Sequence, residues 1–505
     1  MSYAYVSMRT LSYALIASGA ALVMVGCGAD ASDNYSDFGG GRYAPAPMPA
    51  GADYQDGETY DEIIENDFIE ASQENTSTFS IDVDTASYTV MRRDINNGVL
   101  PSPESVRTEE YINYFDYDYP EPADEHPFSV NMEVAPSRFG EGLHLMRVGV
   151  KGEDIHPEDL RPTALTFLID VSGSMQSEAK LPLVKQSLNT LIDNLRPDDT
   201  IGIVVYAGAD GVVLPHTPAR EAQKIKAAID NLGAGGSTNA EAGIVTAYEM
   251  AEAAKKEAGN NRVIILTDGD FNVGKTGEQL FDVIEEYREK EISLTCMGYG
   301  LGNYNDYHME NLSNKGNGNY FYVDSIDEAK RVFGTELSST LEVIAADVKI
   351  QVEFNQDAVA KYRLVGYENR VLDNEDFDDD SVDAGEIGPG HTVTAYYELE
   401  LSEGVQEESL LSTVRLRYKS QYGDESNLIE RAIKLSQTAD GFDDASESFR
   451  FAAAVIEFAE ILRGSKHVDE PDMDAVIEVA TDASAGTQKE EEFLELASKA
   501  STMKR

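Results

Sequence analysis

Between Thr163 and about Ala346, short apolar stretches alternate with amphipathic ones, and this alternation restricts the fold more than any other feature of the chain. Residues 164–169, 201–206, 263–267, 292–297 and 320–323 are too continuously apolar to be strands with one wet face. They read as strands buried on both faces, the condition of a mostly parallel sheet covered by helices. The stretch from Leu181 sets Val184, Leu188, Leu191 and Leu195 on one stripe and stops at Pro197, as an amphipathic helix ended by proline would. Together these features predict a doubly wound α/β domain over 161–346.

In sheets of this kind, ligands collect in the crevice beyond the carboxyl ends of the strands. Three polar segments fall there. The first strand runs into Asp170-Val171-Ser172-Gly173-Ser174-Met175, a loop before a helix reads Gly235-Gly236-Ser237-Thr238-Asn239, and a later strand ends in Thr267-Asp268-Gly269. Small oxygen-bearing side chains suit a hard octahedral cation such as Mg²⁺, which takes oxygen near 2.1 Å and keeps several waters. Gly173, Gly235 and Gly236 would let the backbone crowd around an ion.

The three segments resemble the metal-ion-dependent adhesion site of von Willebrand factor type A (VWA) and integrin I domains, at all five coordinating positions and in order. The resemblance implies that Ser172, Ser174 and Thr238 supply hydroxyl oxygens, with Asp170 and Asp268 ligating directly or through water. The implied ion is Mg²⁺, with Mn²⁺ and Ca²⁺ as alternatives, and its open position would take a carboxylate from a partner protein. Asp270 and Asn272 would shape the rim of the site, or simply form a turn.

The flanks have strand character on both sides of this domain. Residues 79–84, 128–134 and 143–150 precede it, with helices near 88–97 and 106–115, and residues 348–354, 362–367, 392–401 and 414–418 follow it. This pattern suggests a β-sandwich interrupted by the central domain. The tail opens a helix at Asp444-Ala445-Ser446-Glu447 and ends it at Gly464, with Phe451, Ala454, Val455, Phe458 and Leu462 on one face. A second helix is expected near 490–500.

Cys27 and Cys296 are the only cysteines, so no disulfide framework supports the fold. Cys296 lies in an apolar strand and reads as a core thiol. Cys27 closes an apolar run from Leu11 to Val25, and Met24-Val25-Gly26-Cys27 resembles a bacterial lipobox, which implies a diacylated cysteine. The start is Met1 or Met8; Met8-Arg9 would give the more compact positive end. Acyl chains, at about 0.8 kcal/mol per buried methylene, would hold the chain on a membrane. Gly28 carries no aspartate-type retention signal, which favours the outer over the inner membrane.

The organisation is therefore read as a lipoprotein signal peptide (1–27), a disordered tether rich in Gly, Ala, Pro and Asp (28–76), a VWA-associated segment (77–160), the VWA domain (161–346), a β-rich domain (347–440) and a helical region (441–505). Over most of its length the chain resembles bacterial VWA lipoproteins with an N-terminal accessory segment and a C-terminal domain of unknown function. Glu386-Ile387-Gly388-Pro389-Gly390-His391 lies in that last region.

With 92 acidic against 40 basic residues the net charge is -52, so nucleic acid, which needs clustered Lys and Arg, is excluded as a partner. Asp82 and Asp84 lack companion metal segments and read as structural. The run from Asp373 to Asp380 lacks the glycine and closing glutamate of a calcium loop. No phosphate loop, nucleophile elbow or zinc spacing occurs. The expectation is an envelope binding module, not an enzyme, that captures an acidic protein ligand through the ion. The alternative is an assembly or chaperone-like scaffold for an envelope complex.

Overall fold

The computed structural model describes residues 58–156, 158–206, 211–236, 240–269, 277–302, 304–420 and 425–503. The signal peptide, Cys27, the tether up to residue 57, Thr238, Asp270 and Asn272 lie outside the described residues.

The apolar runs of the central domain become one sheet, in the order Tyr320–Val323, Ser293–Tyr299, Asn260–Thr267, Thr163–Asp170, Thr200–Tyr206, Gly211–Pro218. The first five strands are parallel and the last is an antiparallel edge. Alternate residues serve opposite faces. Phe167 and Ile169 pack with Val184, Leu188 and Leu191 of the helix Leu181–Asn194, whereas Leu168 packs with Ile244 and Ala247 of the helix Ala240–Ala253. The edge strand escapes sequence reading because Val212 and Val213 are exposed, and because Pro215 and Pro218 belong to the residue type that only an edge tolerates. Strand order reverses between Thr163–Asp170 and Asn260–Thr267, which opens the crevice at their carboxyl ends.

The flanking strands form two antiparallel sheets, and each draws from both sides of the central domain. One runs Ile69–Glu70, Val359–Val365, Thr392–Leu401, His144–Gly152, Phe128–Pro136; the other runs Val371–Leu372, Thr76–Ser80, Ala345–Phe354, Leu410–Ser420, Ser426–Lys434. Their inner faces share one core, in which Phe79, Val148, Val352 and Tyr397 are fully buried. Phe354 and Tyr362, from opposite sheets, stack at 4.2 Å. Segments 77–160 and 347–440 are thus halves of one sandwich, with the central domain inserted between them.

Residues 58–76 depart from the tether expected there. Ile69 and Glu70 pair with Tyr362 and Lys361, Ala71 is fully buried, and the Thr59 amide donates to the Tyr304 carbonyl at 2.8 Å. Composition alone missed this, because two-residue pairings recruit neighbours hundreds of positions away. The first flanking helix spans Ala86–Asn96, but the second is only Thr108–Ile112. Asp82 and Asp84 are buried against Arg370 at 3.2 and 3.3 Å, a structural ion-pair cluster. Three helices close the chain, Glu447–Arg463, Met473–Ala483 and Gln488–Ser501, and pack with Tyr111 and Phe115 into a separate core.

Candidate functional site

Asp170 ends its strand fully buried, and its carboxylate is held from three directions. The Ser172 amide donates to Oδ1 at 2.7 Å, while the Tyr206 hydroxyl and Thr267 Oγ1 each donate to Oδ2 at 3.1 Å. Burial raises the carboxyl above its ordinary value, the Ser172 contacts lower it, and the charge of Asp268 raises it further. Ile169 is in register with Leu266, so Asp170 lies beside Thr267 and one step short of Asp268, itself only 2% exposed.

After Asp170 the chain turns sharply over Gly173–Gln176, which sets the Ser172 and Ser174 hydroxyls 2.8 Å apart. The glycine loop is tied in by the Gly235 amide, which donates to the Val171 carbonyl at 2.7 Å. Gly236 has φ of 117°, where a side chain would be strained. Four of the five expected site residues therefore lie at the crevice. The fifth, Thr238, follows Gly236 by two positions and is outside the described residues.

These donors are hard oxygens, two carboxylates and two hydroxyls, which is the chemistry that Mg²⁺ selects. Among the described residues no three His, Cys, Asp or Glu side chains are grouped to hold a metal. An ion in this crevice would therefore rely on the hydroxyls.

Sequence reading did not single out Lys180. Its Nζ lies 2.8 Å from Asp268 Oδ2, with the side chain only 10% exposed. The stem runs across Gly300, where φ is 85° and an added Cβ would fall 2.4 Å from the lysine Cε. A signal was available: Lys180 directly precedes the helix Leu181–Asn194, where a cation opposes the helix dipole and needs an anion elsewhere. On the other side of the site, a Cβ at Gly269 would meet Tyr304 at 2.6 Å, and Tyr304 is the residue whose carbonyl receives the Thr59 amide. The N-terminal strap thus reaches the loop next to Asp268.

The family model described as von Willebrand factor type A domain matches residues 164–335. That for von Willebrand factor matches 54–147, and that for the C-terminal region of the uncharacterized protein YfbK matches 339–503. The uncharacterized protein YfbK of Escherichia coli (strain K12) is 39% identical over 437 residues, which is 81% of this chain and 75% of that one. Inter-alpha-trypsin inhibitor heavy chain H3 of Homo sapiens is 27% identical over 175 residues, 32% of this chain and 19% of that one. A solved structure, von Willebrand factor type A from Catenulispora acidiphila, has 16% identity and a TM-score of 0.45, covering 75% of this chain and 91% of that one. The arrangement of a VWA domain within a β-rich frame and a helical C-terminus, together with the extent of the likeness to YfbK, establishes that this chain belongs to the bacterial YfbK family of VWA-domain proteins.

Proposed function

We propose that this chain is a metal-ion-dependent protein-binding module of the cell envelope and not an enzyme. On this reading Asp170, Ser172, Ser174, Thr238 and Asp268 hold a divalent cation, Mg²⁺ before Mn²⁺ or Ca²⁺, and a carboxylate of a partner protein completes its coordination. One observation carries the reading: Asp170, the Ser172–Ser174 hydroxyl pair and Asp268 converge at the switch point of the sheet.

The bound ion supplies an electrophilic position for an anionic oxygen. The protein's own part is orientation. Tyr206 and Thr267 hold Asp170 in one rotamer, and the Ser172 amide keeps the loop turned toward the crevice. Neutral hydroxyls in direct contact would donate less electron density to the ion than carboxylates do, which favours an acidic ligand over a neutral one at the open position.

Calorimetric titration with MgCl₂ tests the site. Ser174→Ala, at an exposed position, is expected to weaken binding at least tenfold with an unchanged circular dichroism spectrum, and Asp170→Asn to abolish it. Wild-type affinity in both variants would remove the site assignment.

Envelope location rests on the lipobox-like Met24-Val25-Gly26-Cys27, with the outer membrane favoured over the inner. The expected result is that Cys27→Ala moves the protein from the membrane to the soluble fraction on cell fractionation. Equal membrane retention of the variant would count against lipid anchoring.

A further inference from the structure

At the amino end of the central sheet, opposite the crevice of Asp170, two polar cavities of about 290 and 360 Å³ adjoin. They share Arg262, Asn317, Val343 and Glu386 in their walls, so they form one cleft between the VWA domain and the β-sandwich. Arg262 belongs to the strand Asn260–Thr267, and Glu386 to the strand Gly385–Ile387 of the sandwich.

Arg262 is 3% exposed, yet among the described residues its guanidinium hydrogen-bonds to neutral oxygens. Nη1 donates to Thr295 Oγ1 at 2.6 Å and Asn319 Oδ1 at 3.2 Å, Nη2 reaches the Leu341 carbonyl at 3.5 Å, and Nε has no partner. Of the neighbouring carboxyls, Glu342 is engaged with Arg161 at 2.7 Å and Asp383 with Arg288 at 2.5 Å, while Glu386 acts on Arg262 through its charge without a hydrogen bond to it among the described residues. Two further buried polar atoms on the cleft residues lack partners among the described residues, Asn260 Nδ2 and Glu386 Oε1.

Buried polar atoms are rarely left unpaired, and a buried charge without a counter-ion is more costly still. We propose that this cleft binds a small oxyanion, a carboxylate or a phosphate, on the Arg262 guanidinium, and that the bound anion bridges the VWA domain to the β-sandwich at Glu386. Guanidinium is suited to this because its planar fork matches two oxygens of either group. Asn260 Nδ2 supplies a neutral donor to the same ligand. Burial lifts Glu386 to about 8, so at neutral pH it stands mainly as the acid, able to donate to an anion and not to repel it. The alternative occupant is water alone, linking Arg262 to Glu386.

Anion binding to the full chain distinguishes the two. In a low-anion buffer freed of metal by passage over chelating resin, inorganic phosphate and glutarate are titrated separately, followed by calorimetry and by thermal melting, with an ionic-strength control in sodium chloride. The expected result is saturable binding of at least one of them at millimolar concentration or below, with a melting shift beyond the salt control. The tighter of the two identifies the ligand class. Arg262→Gln should weaken that binding at least tenfold and Glu386→Gln, which keeps a donor, by less than about threefold. Should Arg262→Gln fail to fold, Asn260→Ala is expected to weaken binding about threefold with the fold intact. Absence of saturable binding by both anions, or full retention of it in the Arg262 or Asn260 variant, overturns the proposal.

Discussion

Lys180 places its ammonium 2.8 Å from Asp268, and it does so on a stem confined by Gly300. On the proposed metal reading, a divalent ion and this ammonium seek the same carboxylate. Like charges a few ångströms apart oppose each other by several kcal/mol at an effective dielectric of about 20. Lys180→Met should therefore tighten Mg²⁺ binding by about tenfold in calorimetry, equivalent to roughly 1.4 kcal/mol. The same change removes a charge-assisted hydrogen bond from the buried Asp268, so the chelated variant should lose about 1.5–3 kcal/mol of stability in urea unfolding. Weaker Mg²⁺ binding in Lys180→Met would instead make the lysine a support for Asp268 and sink the idea of competition. Cys296 needs no such role. It is fully buried, burial pushes its thiol well up, and it serves as the core residue that its apolar neighbours imply.

The helix Glu447–Arg463 shows what an element gains from its surroundings. Its start and stop are local: the Ser446 hydroxyl accepts from the Phe449 amide at 3.2 Å, and Gly464 ends it with φ of 72°. Both ends were legible in the residues. Its burial was not, because the expected apolar face of Phe451, Ala454, Val455, Phe458 and Leu462 is extended by Phe449, Ala452, Ala453 and Ala459, all at most 1% exposed. Only contact with helices on one side and the sandwich on the other explains a helix buried nearly all round. Phe458 packs its ring 5.1 Å from that of Phe493 in the last helix. Phe458→Ala should cost about 3–5 kcal/mol in chemical denaturation, the range for emptying an aromatic site. A loss below about 1 kcal/mol would mean that this core collapses around the gap. The neighbouring helix Met473–Ala483 escaped the sequence reading although Asp472 caps it, accepting from the Asp474 and Ala475 amides at 3.1 and 3.0 Å. Pro471-Asp472 was the start signal that went unused.

Across the whole molecule, the buried acids set the pH response. Burial raises Glu386 to about 8 and Glu457 to about 7, so both bind more protons in the folded chain than in the unfolded one. The stability they contribute is present below their unfolded values and is lost as pH rises through 7 and 8. His216 and His391 act in the opposite sense. Burial lowers each to about 4, so their contribution is present above their unfolded values and is lost as pH falls toward 4. Above the ordinary histidine range these carboxyls still titrate, and the net charge of -52 adds self-repulsion in the same direction. The urea midpoint should therefore fall between pH 6.5 and 8.5, with a smaller fall in Glu386→Gln. A midpoint that rises over that interval would contradict the assignment of these acids.

The residues by themselves determined the doubly wound sheet, the polar segments at its strand ends and the caps of the first C-terminal helix, because periodicity, turn chemistry and capping act within a few positions. Tertiary structure alone decided that residues 69–80 join strands from beyond position 340, that Lys180 meets Asp268, and that Arg262 and Glu386 line one cleft between the inserted domain and the sandwich. Each of these depends on groups far apart in the chain. Their distance is set by how the sandwich closes around the inserted domain, and no local pattern carries that information.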